Sequence, residues 1–154
     1  MIVGIDPGIS GGVAALDRRG KFVDGRRMPV LRHRGKAMVD ARALQAFLQR
    51  LPPIDIIIIE QVHAMPRQGV TSSFTFGRMT GGAEAIAQLI APIEWVTPNA
   101  WKKALGLSSV KQESFDAALL RFGPNKLWAV KANEGIVEAA LMAAYYLDKL
   151  GPLK

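Results

Sequence analysis

Two short apolar runs in this chain each end in a carboxylate, and that repetition limits the folds open to it. Ile2-Val3-Gly4-Ile5 stops at Asp6, which precedes the glycine-rich turn Pro7-Gly8-Ile9-Ser10-Gly11-Gly12. Residues 54–59, Ile-Asp-Ile-Ile-Ile-Ile, stop at Glu60, followed by Gln61. A short β-branched run of this kind reads as a central strand buried on both faces. Ligands and metals enter α/β sheets at the carboxyl ends of such strands, and glycines leave room for them against the backbone. If the two strands are parallel neighbours, Asp6 and Glu60 lie side by side, and two ionised carboxylates there call for a cation between them. Read one at a time, Asp6-Pro7-Gly8 is also an ordinary turn and Glu60 a solvated strand end.

A third acidic cluster lies near the C-terminus, in Lys131-Ala132-Asn133-Glu134-Gly135-Ile136-Val137-Glu138-Ala139-Ala140. Residues 136–147 follow an apolar helical pattern, so Glu134 and Glu138, one turn apart, share a face, and Asn133 suits the cap of the first turn. Glu138 stands inside the most apolar helix of the chain, where an unpaired charge is costly. Glu134 also suits a plain partner for the helix dipole.

The remaining pattern sets the layout. Strands are expected at residues 2–5, 12–16 and 22–27, with Asp17-Arg18-Arg19-Gly20 as a hairpin turn, so the first three strands form a meander. Asp40 caps a helix reaching Leu51, with Leu44, Phe47, Leu48 and Leu51 inward, and Pro52-Pro53 stops it. A helix over residues 72–89 contains Gly81-Gly82, which weakens or bends it unless something, such as a second subunit, packs on the bare backbone. Further expectations are a strand at 93–96 and helices at 99–105, 112–122 and 134–149. The result is an α/β fold: a mixed five-stranded sheet, three antiparallel meander strands plus parallel ones, flanked by helices in a single domain over residues 1–154.

Composition narrows the class of partner. Twenty basic against thirteen acidic residues give a formal charge of +7, and a polyanionic partner suits that balance. The absence of cysteine excludes disulfides and thiolate metal sites and directs attention to oxygen ligands. The apolar stretches 54–59 and 136–147 are interrupted by acids and too short to span a bilayer, and no charged segment precedes the first strand, so no membrane role is expected.

Taken in order, a strand ending in Asp-Pro-Gly, a strand ending in Ile-Glu-Gln and a late helix with an acid before Ala-Ala-Leu resemble the RuvC-type Holliday junction resolvases of the ribonuclease H-like superfamily. The small phage and prophage branch looks closest. Val62-His63-Ala64-Met65-Pro66, Gln68-Gly69-Val70, Ser72-Ser73-Phe74 and Phe76-Gly77-Arg78 resemble that branch's segment after the second acid, and Val96-Thr97-Pro98 with Trp101-Lys102 its next landmark. The likeness runs from residue 1 to about 147; the ordered set is specific where Asp-Pro-Gly alone is not.

The resemblance implies a crossover junction endodeoxyribonuclease of DNA recombination and repair, acting as a C2 homodimer on four-way DNA in the cytoplasm of a bacterium or phage-infected host. It implies two Mg²⁺ ions per site, with Mn²⁺ able to substitute: Asp6 bridging them, Glu60 on one, and Glu138 with Asn133 or Glu134 on the other. Lys111 would neutralise developing charge. One position departs from the branch, which carries Asp where Asn133 stands. An amide is a poorer ligand for a hard ion, so either Glu134 substitutes, or the chain is a natural or deliberate inactive variant, or Asn133 is simply a cap.

Three loops are expected at the DNA. Residues 31–36 bring Arg32, His33, Arg34 and Lys36 together, suited to backbone contact though also to a solvated loop, with His33 not a metal ligand. Residues 61–71 carry His63, Met65, Arg67 and Gln68 at the mouth of the site, where an apolar or planar group could wedge into a branch point; His63 reads as packed or DNA-stacking ahead of a catalytic base. Residues 107–111 end in Lys111, a cation at a helix start against the dipole, hence a phosphate contact or a solvated lysine. Lys102 joins the DNA-contacting set, and Phe74 and Phe76 are expected in the core.

Three rivals use parts of the same pattern. The first strand and turn are similar to the phosphate loop of actin-like sugar kinases and ATPases, but those need a second lobe that 154 residues cannot house, so no nucleotide cofactor is expected. A related nuclease trimming structured RNA has a similar acidic constellation. A junction-binding protein without chemistry would follow from Asn133.

Overall fold

The computed structural model describes residues 1–61 and 69–151. Its centre is a five-stranded sheet built from β1 (Ile2–Asp6), β2 (Gly12–Leu16), β3 (Phe22–Arg27), β6 (Ile56–Glu60) and β7 (Ile93–Val96), in the order β3-β2-β1-β6-β7. β1, β2 and β3 pair antiparallel as the meander, and β6 and β7 extend the sheet in parallel. The expected α/β architecture is therefore present.

Alternation along the strands divides the core into two layers. Val3, Ile5, Ile57 and Ile59 face one side, where they meet Leu44, Phe47 and Leu48 of α1 (Ala41–Arg50) and Met79, Ala83 and Ala87 of α2 (Val70–Gln88). Ile2 and Ile58 face the other, against α4 (Lys111–Phe122) and α5 (Glu134–Leu150), whose Ile136, Val137, Ala140 and Leu141 are buried; α3 (Pro98–Ala104) adds Trp101. Removing a Leu or Ile side chain from water stabilises by about 1.5–3 kcal/mol, which favours the sandwiching of the four isoleucines of β6 between the layers. Asp40 caps α1 as expected, its carboxylate accepting from the Ala43 N–H at 3.0 Å.

Three expectations are corrected. Residues 31–36 are not a loop: β4 (Val30–His33) and β5 (Lys36–Val39) form an antiparallel hairpin. Only Arg34 and Gly35 turn, with φ of 48° and 75°, the two positive values that a tight hairpin turn requires. The hairpin packs by Ala37 and Val39 while Arg32, His33, Arg34 and Lys36 stay exposed, so its polar sequence concealed a strand pair. Secondly, α2 runs unbroken through Gly81-Gly82. A Cβ on Gly82 would meet Val39 at 3.4 Å, so the chain's own β5 covers the bare backbone at Gly82, whereas no described residue lies within 4 Å of an added Cβ on Gly81. Thirdly, Phe74 is 59% exposed rather than in the core, with the Arg78 guanidinium 5.8 Å from its ring centroid; Phe76 is only partly buried.

Candidate metal centre

Parallel pairing of β1 with β6 runs in register from Ile2 opposite Ile56 to Ile5 opposite Ile59. The next residue on each strand is the acid, so Asp6 and Glu60 leave adjacent strands at the same level. The turn after β1 holds Asp6 in place, because the Gly8 N–H donates to its Oδ1 at 3.1 Å. Glu60 is 7% exposed, and its Oε1 accepts the indole N–H of the fully buried Trp101 at 3.0 Å.

Both carboxyls are hard to ionise in the metal-free protein. Burial above all, reinforced by Glu138 and Glu134 and opposed by the Gly8 N–H and Lys102, lifts Asp6 to about 6. Burial likewise lifts Glu60 to about 7, with Asp6 and Glu138 adding to it and Trp101 and Lys102 working against it. These are acids that an added cation would ionise.

The second half of the site comes from α5, which lies against the backbone of β1 and its turn. A Cβ on Gly4 would fall 1.9 Å from the Ala139 carbonyl oxygen, and one on Gly135 would fall 2.3 Å from the Gly11 carbonyl carbon. Only glycine permits this approach. Gly11 and Gly135 form a β-bridge at the contact, which fixes the first turn of α5 beside Asp6. Glu138 is thereby turned to the strand ends, where Lys102 reaches its Oε1 at 2.7 Å. Glu134, one turn earlier, takes Lys111 at 2.6 Å.

Lys111 thus has a structural reason for standing at the start of α4: it pairs with Glu134, contrary to the expectation that it lacked one. Lys102 is turned inward onto Glu138 rather than outward.

Asn133 occupies a different environment. It is 7% exposed; its Oδ1 accepts from Arg27 Nε at 2.8 Å and its Nδ2 donates to the Leu127 carbonyl at 3.1 Å. It ends the 3₁₀ turn Lys131–Asn133 and precedes α5, yet its side chain makes no capping hydrogen bond, so it is not the side-chain cap considered from the sequence. Both ends of the amide are already committed. Arg27, at the end of β3, was not singled out from the sequence, and Trp101 was noted there only as part of a landmark of the family resemblance, not as a site residue.

The donor set fits hard divalent ions, since Asp6, Glu60, Glu134 and Glu138 offer only carboxylate oxygens. Lys102, an ammonium held among these acids, marks the place where positive charge is accepted. Among the described residues no three acids close into a ready-made metal cage; Lys111 and Lys102 pair with Glu134 and Glu138. His63, Met65, Arg67 and Gln68 lie outside the described residues. No helix among the described residues is long and apolar enough to cross a membrane.

Two solved structures share this architecture over nearly the whole chain. Thermus thermophilus RuvC in complex with a Holliday junction substrate is 17% identical, with a TM-score of 0.67 over 99% of this chain and 97% of that one. The chain has the RuvC fold. A second Thermus thermophilus RuvC structure is 18% identical, with a TM-score of 0.61 over 99% of this chain and 98% of that one. The RuvC fold is ribonuclease H-like, and at these identities the likeness is one of fold. No protein-family model and no curated protein matches the sequence.

Proposed function

We propose that this chain is a structure-selective DNA endonuclease that resolves four-way junctions by divalent-metal-dependent hydrolysis, as one nuclease domain over residues 1–154. The observation that carries the reading is the convergence of Asp6 and Glu60, on neighbouring parallel strands, with Glu138 and Glu134 on a helix pinned by the Gly11–Gly135 contact. The solved neighbour bound to a Holliday junction supports the choice of substrate, and the charge of +7 suits it.

Asp6, Glu60, Glu138 and Glu134 would hold two Mg²⁺ ions, for which Mn²⁺ could stand in; Asn133 is left outside the ligand set because Arg27 and Leu127 occupy its amide. Bound ions of this kind supply Lewis-acid polarisation of the phosphate and activation of the attacking water. The protein's own part is positional. Trp101 orients Glu60 and Gly8 orients Asp6, so both acids are fixed before substrate arrives. Lys102 and Lys111, whose ammonium groups lie beside Glu138 and Glu134, would be in reach of phosphate oxygens as charge develops. Arg32, His33, Arg34 and Lys36 of the exposed hairpin would supply backbone contacts; of the segment carrying His63, Met65, Arg67 and Gln68, an apolar or planar side chain would wedge into the branch point, Arg67 would meet phosphate and His63 would pack or stack on the DNA.

A four-way junction is close to two-fold symmetric, so cutting it symmetrically needs two copies of the site. One face of α2 suits the pairing. Val70 is 87% and Phe74 59% exposed, and Gly77 and Gly81 follow on the same face, where no described residue lies within 4 Å of an added Cβ. Their alternating spacing of four and three residues is that of a helix–helix seam, and we place the C2 dimer contact there.

The test is a cleavage assay on four-way DNA, linear duplex and structured RNA, each with Mg²⁺, with Mn²⁺ and with EDTA. Symmetric, metal-dependent cutting of the four-way DNA is expected. Preferential cutting of the RNA would transfer the site to RNA processing, and tight junction binding with no cutting under any condition would leave a binding protein.

A further inference from the structure

Arg27 ends β3 on the same edge of the sheet as the acids. The register places Arg27 opposite Gly12 and Gly12 opposite Asp6, so its backbone lies two strand spacings, roughly 10 Å, from that of Asp6. Its side chain is exposed, yet it is tied down. Arg27 Nε donates to Asn133 Oδ1 at 2.8 Å, and Asn133 Nδ2 donates in turn to the Leu127 carbonyl at 3.1 Å. Asn133 is buried, and the loop that holds it is itself braced. The Leu127 N–H donates to Asn125 Oδ1 at 3.0 Å, and the Trp128 indole N–H donates to the Gly123 carbonyl at 3.1 Å with its ring edge-on to Phe22. These contacts require an amide at position 133. One end must accept from a guanidinium while the other donates to a carbonyl, and a carboxylate can do only the first.

We infer that Arg27 is a phosphate clamp, gripping a phosphate next to the scissile one through its Nη pair, and that Asn133 is its positioning residue. The inference rests on the nuclease reading and extends it, because it gives Asn133 a part in holding DNA from outside the metal ligands. With Nε committed to Asn133, the Nη1 and Nη2 end of the guanidinium is the remaining fork, and among the described residues no acid forms a salt bridge with it. That end matches two phosphate oxygens at once. A guanidinium already held in place also loses less rotamer freedom on binding than a free side chain, and a lysine there would offer charge without the fork.

The experiment uses four-way junctions in which single phosphates around the branch point are replaced, one at a time, by uncharged methylphosphonate. Affinity is measured in EDTA and single-turnover cleavage in Mg²⁺. For the parent, one position beside the scissile phosphate should weaken binding about ten-fold, the loss of one charge-assisted contact. Arg27→Ala changes an exposed side chain; it should bind the unmodified junction at that reduced affinity and be indifferent to the same replacement. Its slope of log affinity against log salt should be shallower by about one. Arg27→Lys should keep the parent's salt slope and lose most of the position-specific effect, because the charge stays and the fork does not. Asn133→Ala should lose that effect too, whereas Asn133→Asp, which still accepts from Arg27, should retain it. If Asn133→Ala does not fold, Asn133→Asp and the two Arg27 variants decide. Loss of the effect in Asn133→Asp, or its retention in a folded Asn133→Ala, overturns the positioning role. An Arg27→Ala protein that responds to every replacement as the parent does overturns the clamp and leaves the nuclease standing. A parent that shows the position-specific effect in binding but cuts no junction upholds the clamp and overturns the nuclease reading.

Discussion

Lys102 Nζ lies 2.7 Å from Glu138 Oε1, with both side chains largely withdrawn from solvent. This ammonium answers the negative charge of Glu138 beside Asp6 and Glu60, which burial makes hard to ionise. Replacing it with Met, which keeps the aliphatic bulk, removes a charged hydrogen bond and should cost about 1–3 kcal/mol of stability in EDTA. The same change removes a competitor for Glu138, so Mg²⁺ measured by titration calorimetry should bind Lys102→Met several-fold more tightly than the parent. Equal Mg²⁺ affinity in the two proteins would show that the lysine and the metal do not share a place.

Asn133 separates two accounts of the active site. Because Arg27 and the Leu127 carbonyl already engage both ends of its amide, Asn133→Asp should keep the Arg27 contact and lose the donor to Leu127. Cleavage is expected to stay within ten-fold of the parent, with stability lower by about 1 kcal/mol. An increase of orders of magnitude in single-turnover cleavage would mean instead that the position holds a metal and that the chain is an inactivated form.

Asp6 and Glu60 hold their protons more tightly folded than unfolded, at about 6 and about 7 against ordinary values of 3.8 and 4.5. Their contribution to stability is therefore complete below about pH 4 and is lost as pH rises through 6 and 7. Asp55 works in the opposite direction. Hydrogen bonding to Arg18 holds it well below the usual carboxylate range, so its contribution is lost only in acid. Between pH 5 and 8 the melting temperature in EDTA should fall by at least about 3 °C, and saturating Mg²⁺ should flatten that slope by favouring the anions. Identical slopes with and without Mg²⁺ would contradict a metal at these acids.

The contact between Gly135 and Gly11 predicts a further sensitivity. A methyl group on Gly135 would sit 2.3 Å from the Gly11 carbonyl carbon, so Gly135→Ala must push α5 off the turn, at a cost of about 1–3 kcal/mol. Because Glu134 and Glu138 ride on that helix, cleavage should fall by roughly 10²-fold, as expected for a displacement on the order of 1 Å. Kinetics and thermal melting together check this; a stable variant with unimpaired cleavage would refute the pinning of α5.

Much of this arrangement was legible because local pattern and burial agreed. The isoleucine run of β6 and the apolar run of β1 each ended where an acid had to emerge, and Asp40 announced α1 through an ordinary cap. Glu138 stood out as a charge inside an apolar helix. The hairpin at residues 30–39 was hidden because Arg32, His33, Arg34 and Lys36 point to solvent and only its backbone pairing makes it a strand pair. Phe74 shows the reverse: an aromatic expected inside is 59% exposed on α2. The partners of Asn133 and Glu60 could not be read either, because Arg27 is 106 residues from Asn133 and Trp101 is 41 from Glu60. Such pairings exist only once the sheet and helices are assembled.

The central claim is that Asp6 and Glu60 perform chemistry rather than hold the fold or the DNA. It is tested by measuring, for the parent, Asp6→Asn and Glu60→Gln, both single-turnover cleavage of a four-way junction in Mg²⁺ and affinity for the same junction in EDTA. Phosphate contacts from lysines and arginines supply most of the affinity, so binding should remain within a few-fold of the parent while cleavage becomes undetectable in both variants. Cleavage by either variant within ten-fold of the parent would contradict the account.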